Sequence, residues 1–524
     1  MEPSAEILGA RSIWELIEQR AAATPDLAIL RDEHDRVLTC VQLRDEVERC
    51  AAGLFALGIR EGTTVSWQLP TRFETIVLST ALARLGAVQN PIIPIYGARE
   101  VRAMLTQVAS EWFIVPGPWR GVDYTALAAQ CAAESGHGCT PLTVAARLGE
   151  PAFPAGDPAT LPEPPAPAHD PDDEPVRWIY TTSGTTALPK GVLHTDRTLL
   201  AGGRGLGFAV DPGPDDLAVF AVPWAHIGGP DWLVYMLSWG LRTVVMEAFV
   251  PTDAVALMRR HGATTTGGAT ALYQSLLALQ REQPDAPLVP TLRFLTGGGG
   301  PKPPELFAEV QREMFGVRIC HGYGMTECPM IANGGPGDTD AQLMHTEGAP
   351  VRGCQVRIVR DDGTDAAPGE EGEIRLRGDM LFRGYLDPAQ TAEVMDADGW
   401  FVSGDRGVLH ADGHLSVTGR TKDVIIRKGE NIGAVEVESV VYEHPSVAAV
   451  AVIGLPDAER GERVCAVVEL VEGSPPLTLT DLQDHCRAAG LSQRKWPEQL
   501  EIVEAMPRNP TMKILKYRLK EQLS

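Results

Sequence analysis

The 524-residue chain predicts an α/β fold, with a large multi-subdomain N-terminal part of layered sheets and helices and a small α+β C-terminal domain. Three observations carry this expectation. The chain exceeds the roughly 250–300 residues at which a single hydrophobic core stops growing. Its first two thirds alternate helical periodicity with short apolar runs that end in glycine, proline or turn residues. Its remainder changes to short alternating strands, then to a set of strands and helices long enough to fold as a unit.

The elements follow in order. Residues 13–22, 41–56 and 73–85 carry helical apolar spacing, while 87–95 and 112–115 are short apolar runs, a rhythm that suits mostly parallel strands. Nine of the 41 prolines fall between Pro151 and Pro175, where missing amide donors prevent regular structure, so this stretch reads as a surface connection. VRWIYT at 176–181 is a strand running into a loop of small residues. LAVFAVPW, LRTVVM, ATTTGG, LRFLTG and VRICHGYG read as further strands whose ends could converge on one crevice, where open α/β sheets bind ligands. From Cys354 the strands CQVRIV, GEIRLRG and HLSVTG alternate in polarity. The hairpin-like DVIIRKGENI, a helix at 435–442, the strands VAAVAVIG and RVCAVVELV, and a helix from Leu479 make up the last unit. The expected division is 1–420 and 421–524.

Composition narrows the function. Apolar residues are 44% and charged residues 22%, as in ordinary globular proteins. Lysine plus arginine number 46 against 69 acids, and the net charge of −23 repels nucleic acids and acidic lipid, while a small anion can still bind in a local positive pocket. The nine cysteines contain no C-x-x-C pair, which disfavours a disulfide framework or structural zinc. The start MEPSAEILGA lacks the pattern of a signal peptide, and residues 232–246 are too short and too interrupted to span a membrane. A cytoplasmic protein is expected.

Residues 180–195, YTTSGTTALPKGVLHT, are the most informative segment. Hydroxyls at Thr181, Thr182, Ser183, Thr185 and Thr186, with flexible backbone at Gly184, can surround phosphate oxygens, and Lys190 adds a positive charge. This is not a Walker A loop, because Pro189 and Gly191 flank Lys190. The bland alternative is a polar loop between a strand and a helix.

The segment strongly resembles the nucleotide loop of the adenylate-forming superfamily, which contains acyl-CoA synthetases, aryl-CoA ligases, beetle luciferases and peptide-synthetase adenylation domains. Further motifs follow in the family's order: PWAHIGG at 223–229, GGGGPKPPEL at 297–306, HGYGMTE at 321–327, GWFVSGD at 399–405, GRTKDVIIRKGENIGAVEVE at 419–438 and PRNPTMKIL at 507–515. NPIIPIYGAREV at 90–101 and the tail at 491–519 are most similar to medium-chain and cyclohexanecarboxylate-type acyl-CoA ligases.

The resemblance implies roles residue by residue. Tyr323 would stack on adenine, with Gly298, Gly299, Gly300, Gly324 and Met325 close to the nucleotide. Thr326 would hold the α-phosphate, and Glu327 would help hold Mg2+, which prefers oxygen ligands. Asp405 offers two acceptor oxygens to the ribose hydroxyls, and Arg420 is a second ribose or phosphate contact. Lys513 would be the catalytic cation that offsets the repulsion between a carboxylate and the α-phosphate of ATP. Lys516, nearby in the same basic tail, is the competing choice. Trp224 and His226, with Gly268, Gly298 and Gly324, would line the acyl pocket, and the glycines suggest room for a bulky or alicyclic acid. With Ala225 before His226 and no acid nearer than Asp231, an α-amino acid substrate is disfavoured.

For the second half-reaction the small domain would swing about Lys422, presenting Lys428 and Gly429 to the thiol of CoA. Lys428 and Arg427 read equally as CoA phosphate contacts or as a plain charged hairpin. Three departures from the family's pattern stand out: Ala187 and Met512 where glycine is common, and Ala434 where proline is common. The implied reaction is ATP-dependent acyl-AMP formation followed by transfer to CoA. Alternatives are an adenylation-only enzyme that hands acyl-AMP to a carrier protein or separate partner, a luciferase-like oxygenase, and a non-catalytic nucleotide-binding relative.

Overall fold

The computed structural model describes residues 3–150, 152–182, 190–428, 430–457, 459–509 and 512–524, with the backbone alone of Thr182, Glu430 and Asn431. The helices begin and end where the chemistry of their termini dictates. Ser12 caps Ile13–Ala23 through the Glu15 amide. Thr39 and Gln42 close a reciprocal capping box at Cys40–Ala56. Gly86, in the left-handed conformation, stops Phe73–Leu85.

Two large sheets dominate. In the nine-stranded sheet the central strands, in spatial order Arg318–Met325, Phe294–Gly298, Thr265–Gly267, Leu217–Phe220, Arg242–Val245 and Ala28–Asp32, are all parallel. Antiparallel strands close both edges. In the six-stranded sheet, Trp178–Thr182, Val88–Pro91, Thr64–Trp67, Trp112–Val115 and Thr140–Thr143 are parallel, and Lys190–His194 returns antiparallel along Trp178–Thr182.

Helices Phe73–Leu85 and Gly228–Trp239 are buried on nearly every face, as a helix held among other layers must be. Their sequences accordingly lack an extended polar face. A four-stranded antiparallel sheet, Cys354–Val359, Glu371–Gly378, Phe401–Leu409 and Leu415–Arg420, completes this part, and one continuous core runs from Ile7 to Leu415. After the short turn Thr421–Asp423, two further apolar clusters draw their members from residues 425–523 alone. They lie on the two faces of a sheet built from Glu430–Ile432, Ile425–Arg427, Gly461–Leu470, Val447–Asp457 and Gln499–Val503.

The expected helices and strands are present, several to the residue. Phe73–Leu85 and Trp112–Val115 match, and the helix expected from Leu479 is Leu479–Ala488. One local expectation changes. The phosphate-loop segment lies between two antiparallel strands, with Lys190 opposite Thr182, rather than between a strand and a helix. The helix Asp196–Val210 starts only after the second strand, capped by Thr195. The residues after Pro189 form the strand KGVLH, too short a run for its periodicity to announce it.

Candidate active site

The loops at the carboxyl ends of the parallel strands gather on one side. Gly267 and Gly268, Gly297 to Gly300, and Tyr323 to Met325 follow one another across three neighbouring strands. Backbone packing decides most of these glycines. A Cβ at Gly298 would lie 2.3 Å from the Gly322 carbonyl oxygen, and one at Gly297, which has φ +138°, 2.0 Å from that of Gly268. Gly324 and Gly268 are similarly enclosed by Pro329 and Leu272, so the packing reading accounts for them without an appeal to pocket volume. Gly299 and Gly300 differ: a Cβ at Gly299 would meet nothing within 4 Å, and one at Gly300 only Thr270 Oγ1 at 3.9 Å.

Asp405 is the hub. Its strand pairs it directly with Arg420. The Tyr323 hydroxyl donates to Asp405 Oδ2 at 2.6 Å, and Arg420 Nε donates to Oδ1 at 3.0 Å. Asp405 is only 4% exposed, so both bonds act in a weakly screened place. Burial, with the Asp405 charge beside it, pushes the Tyr323 hydroxyl well above its ordinary value and keeps it a donor.

A second cluster surrounds the Thr326–Glu327 turn. His194 Nε2 donates to the Thr326 carbonyl at 2.7 Å, and burial lowers this imidazole to about 4, so it is neutral. The Phe382 amide donates to the Glu327 carbonyl at 2.8 Å, and the Tyr385 hydroxyl donates to Glu327 Oε1 at 2.7 Å. Lys190 Nζ sits 4.5 Å from the centre of the Tyr385 ring. Tyr385 therefore links the phosphate-loop lysine to the acid of the TE motif. Sequence reasoning missed both Tyr385 and His194. The former lies in RGYL with no charge to flag it, and the latter reads as one more polar residue in GVLHT.

Lys513 reaches this side from the tail. Its backbone is pinned twice by Asn509, with the Lys513 amide donating to Asn509 Oδ1 at 2.8 Å and the Asn509 amide to the Lys513 carbonyl at 2.8 Å. Burial and the neighbouring Arg420 charge lower its ammonium to about 8, against the opposing pull of Asp405 and Asp423. Lys513 thus lies within electrostatic reach of the Asp405–Arg420 pair. Lys516, the competing choice, is engaged elsewhere, its Nζ 2.6 Å from Glu438. Met512 holds φ +66°, the backbone conformation that glycine adopts freely, so the turn keeps its glycine-like shape with a side chain on it. Ala434 is the first residue of Ala434–Tyr442, a place where proline and alanine both fit.

The remaining expected residues divide. Thr181 is half-buried on its strand opposite Gly191. Ser183, Gly184, Thr185, Thr186, Ala187 and Gly429 lie outside the described residues, as does the side chain of Thr182. Trp224 is 3% exposed, and its indole N–H donates to Ser79 at 3.2 Å, so its side chain is packed in the core. His226 Nδ1 accepts from the Gly228 amide at 3.2 Å, and burial lowers it to about 4, so it stands neutral before the helix Gly228–Trp239. Lys422 and Lys428 are exposed, while Arg427 is tied to Glu498 at 2.7 Å. No group of three or more histidines, cysteines and acids that could cage a metal exists among the described residues. No helix among them is long and apolar enough to cross a membrane.

Known proteins share this arrangement. The profile described as AMP-binding enzyme matches residues 17–386, and that of the AMP-binding enzyme C-terminal domain matches 436–513. The medium-chain fatty-acid–CoA ligase of Escherichia coli (strain K12) is 29% identical over 98% of this chain and 91% of its own. The long-chain-fatty-acid–CoA ligase FadD13 of Mycobacterium tuberculosis is 31% identical over 98% of this chain and 99% of its own. Among solved structures, ATP-bound MatB from Rhodopseudomonas palustris superposes with a TM-score of 0.86 at 25% identity, covering 98% of each chain. The chain belongs to the AMP-binding enzyme family, within the adenylate-forming superfamily, and is an acid–thiol ligase of the acyl-CoA synthetase kind.

Proposed function

We propose that the enzyme joins a carboxylic acid to the α-phosphate of ATP, releases pyrophosphate, and transfers the acyl group from acyl-AMP to CoA. The observation that carries this is Lys513 brought from the tail into the electrostatic neighbourhood of Asp405 and Arg420. Nucleotide binding falls to the large lobe, residues 1–420. Tyr323 offers its ring face to adenine, Asp405 accepts from the ribose hydroxyls, and Arg420 meets the ribose or phosphate. Gly299, with no atom within 4 Å of a Cβ built on it, leaves open space for the base. Thr181 to Thr186 and Lys190 hold the outer phosphates.

The acid and the α-phosphate are both anions, so the approach of one to the other is opposed until a cation stands between them. Lys513, in the small lobe 421–524, supplies that charge at the carboxylate and phosphate oxygens. It acts as an electrostatic clamp; no proton transfer is required of it. Thr326 holds the α-phosphate by its hydroxyl. Magnesium suits this donor set. A single carboxylate, Glu327, has Oε1 engaged by Tyr385, and magnesium is commonly held by one or two protein carboxylates together with substrate phosphates and water. Bound there, the ion would neutralise charge on the departing pyrophosphate.

The acyl pocket reads as apolar. His226 is neutral, and burial pushes the Asp231 carboxyl, 3% exposed, well above the usual carboxylate range, so neither offers a charge to an ammonium group. This supports an uncharged side chain on the acid, in keeping with a medium-chain or alicyclic substrate. For the thiol step the small lobe turns about Lys422, withdraws Lys513 and brings Lys428 and Gly429 towards the thiol.

The test is pyrophosphate release with a panel of carboxylic acids, followed by mass spectrometry with and without CoA. A thioester is expected; acyl-AMP that persists in the presence of CoA would assign the acceptor to a carrier protein. Lys513→Ala should lower acid-dependent pyrophosphate release by about 10²–10³ and leave ATP binding near its starting value. Lys516→Ala should change release by no more than about threefold, and the reverse order would overturn the assignment.

A further inference from the structure

We propose that Gln274 and Tyr442 form the latch that docks the small lobe in its adenylating orientation, which makes both of them positioning residues for Lys513. The effect on rate rests on the ligase reading; the docking contact does not. Gln274 lies on the helix Thr270–Arg281 of the large lobe, and Tyr442 is the last residue of the helix Ala434–Tyr442 of the small lobe. The Gln274 amide nitrogen donates to the Tyr442 hydroxyl oxygen at 3.1 Å and to the Ala448 carbonyl at 3.4 Å, so one side chain spends both of its N–H groups across the boundary. Tyr442 adds an apolar contact. Half-buried, it packs against the large lobe's core, and among the described residues it is the only apolar side chain from 421–524 that joins that core.

Each half of the latch is tied to one half of the site. Thr270, the first residue of the Gln274 helix, donates its hydroxyl to the Pro301 carbonyl at 2.9 Å, beside Gly300. Tyr273, next to Gln274, meets the His321 ring edge-on with centroids 6.0 Å apart, and His321 Nε2 donates to the Gly300 carbonyl at 2.9 Å. The helix that carries Gln274 is therefore registered against the strand ends that carry Gly300 and Tyr323. On the other side, Glu438 stands four residues before Tyr442, on the same side of its helix. Its carboxylate accepts from the Val452 amide at 2.7 Å and lies 2.6 Å from the Nζ of Lys516, three residues past Lys513. Holding Tyr442 thus holds the tail that bears Lys513.

Position along the helix makes Tyr442 decisive. Val435, at the start of the helix, lies beside the joint, since a Cβ at Gly419 would be 4.0 Å from Val435 Cγ2. A turn about Lys422 leaves this near end close to the large lobe, whereas Tyr442, about 10 Å further along, must leave Gln274. Each such hydrogen bond is worth a factor of about 2–10 between docked and undocked lobes. Adenylation draws on the docked population, with Lys513 beside Asp405 and Arg420, and thiol transfer draws on the undocked one. The ratio of the two rates therefore changes by the whole factor, whichever population dominates. A side chain that serves only folding moves both rates together.

The test measures single-turnover pyrophosphate release from acid and ATP, and thioester formation from supplied acyl-AMP and CoA, on the full chain and on Gln274→Leu, Tyr442→Phe and Tyr442→Ala. The ratio of the first rate to the second should fall about 3–10-fold in Gln274→Leu, about twofold in Tyr442→Phe, which keeps the ring and the Ala448 contact, and most in Tyr442→Ala. Trypsin cleavage after the exposed Lys422 should be faster in Gln274→Leu and Tyr442→Ala, in the same order. Equal loss of both rates, or an unchanged ratio in Gln274→Leu, overturns the latch. If the unaltered chain forms neither pyrophosphate nor thioester with any acid, the ligase reading fails, and cleavage at Lys422 still decides: no acceleration in Gln274→Leu overturns the docking role.

Discussion

The Asp405 cluster and the Lys513 loop face the same place from the two lobes and are built in contrasting ways. Asp405 sits within a four-stranded sheet, almost fully buried, with one carboxylate oxygen occupied by Arg420 of the neighbouring strand and the other by Tyr323 of the nine-stranded sheet. Lys513 has its backbone held by Asn509, beside the bridge between Arg508 and Ile514. Its ammonium makes no hydrogen bond or ion pair among the described residues. The lobes keep separate cores and meet through contacts such as Gln274 Nε2 with the Tyr442 hydroxyl at 3.1 Å and the Ala448 carbonyl at 3.4 Å. On the proposed reading Asp405 is the fixed side of the site, and Lys513 is the cation that the small lobe presents to it.

The contrast breaks most severely at its fixed end. Asp405→Ala removes the acceptor of two charge-assisted or buried bonds and leaves Tyr323 and Arg420 without it. Acid-dependent pyrophosphate release should fall by about 10²–10³, the range for losing a preorganised charge-stabilising group. A thermal melt alongside separates this from unfolding, and Tyr323→Phe, which spares the carboxylate and Arg420, should cost much less. Equal losses in the two variants would remove Asp405 from its place at the centre of the site.

The delivered end is broken by pH. Lys513 titrates near 8, lowered chiefly by burial and then by Arg420, so the free enzyme carries the ammonium below that value and loses it above. The kcat/KM for the acid should accordingly fall about tenfold per pH unit once pH exceeds about 8. In Lys513→Arg this descending limb should vanish, because guanidinium stays charged. A limb that persists at the same pH in the arginine variant would assign it to another group.

What could be read from the chain follows the same division. Tyr323, Asp405, Arg420 and Lys513 stand in motifs that can be read in the sequence, and the apolar patterns of helices such as Phe73–Leu85 match the observed elements, so much of the element order was legible. The choice between Lys513 and Lys516 was legible only through the resemblance; the structure adds a physical reason, since Glu438 holds Lys516. Trp224 was expected on the pocket, and its indole N–H bond to Ser79, which lies 145 positions away in the chain, could not be read from the sequence. Tyr385 and His194 were not legible for the same reason. Each acts through a partner distant in sequence, 58 positions for Tyr385 with Glu327 and 132 for His194 with Thr326, and no local pattern encodes such a pairing. At Gly298 and Gly324 close backbone approach alone already requires glycine, which the sequence does not reveal.

Tyr385 offers a finer cut within the fixed lobe. Tyr385→Phe keeps the ring under Lys190 and deletes only the bond to Glu327 Oε1. Loss of such an orienting partner typically costs about 10–100-fold in metal affinity or activity, and the lower end is expected here because one other oxygen of Glu327 is untouched. The signature is a higher magnesium requirement at fixed ATP, with the pH limb of Lys513 unmoved. A variant with normal magnesium dependence would reduce Tyr385 to packing.

The smallest effects belong to Met512, where the delivered loop departs from the family's usual glycine. A side chain at φ +66° carries a penalty of about 1–2 kcal/mol, and Met512 is 49% exposed, so burial of the side chain compensates it only in part. Met512→Gly removes the strain but adds freedom to the unfolded chain, worth roughly 0.5–1 kcal/mol in the other direction. The melting temperature should therefore move little, and adenylation should stay within about threefold. Met512→Val is the sharper partner, because a β-branched residue tolerates the left-handed region least. It should lower adenylation more than the glycine variant while leaving nucleotide binding by the large lobe unchanged. Equal behaviour of the glycine and valine variants would mean that the shape of this turn does not govern where Lys513 is delivered, and the contrast between a fixed and a presented half of the site would lose its mobile side.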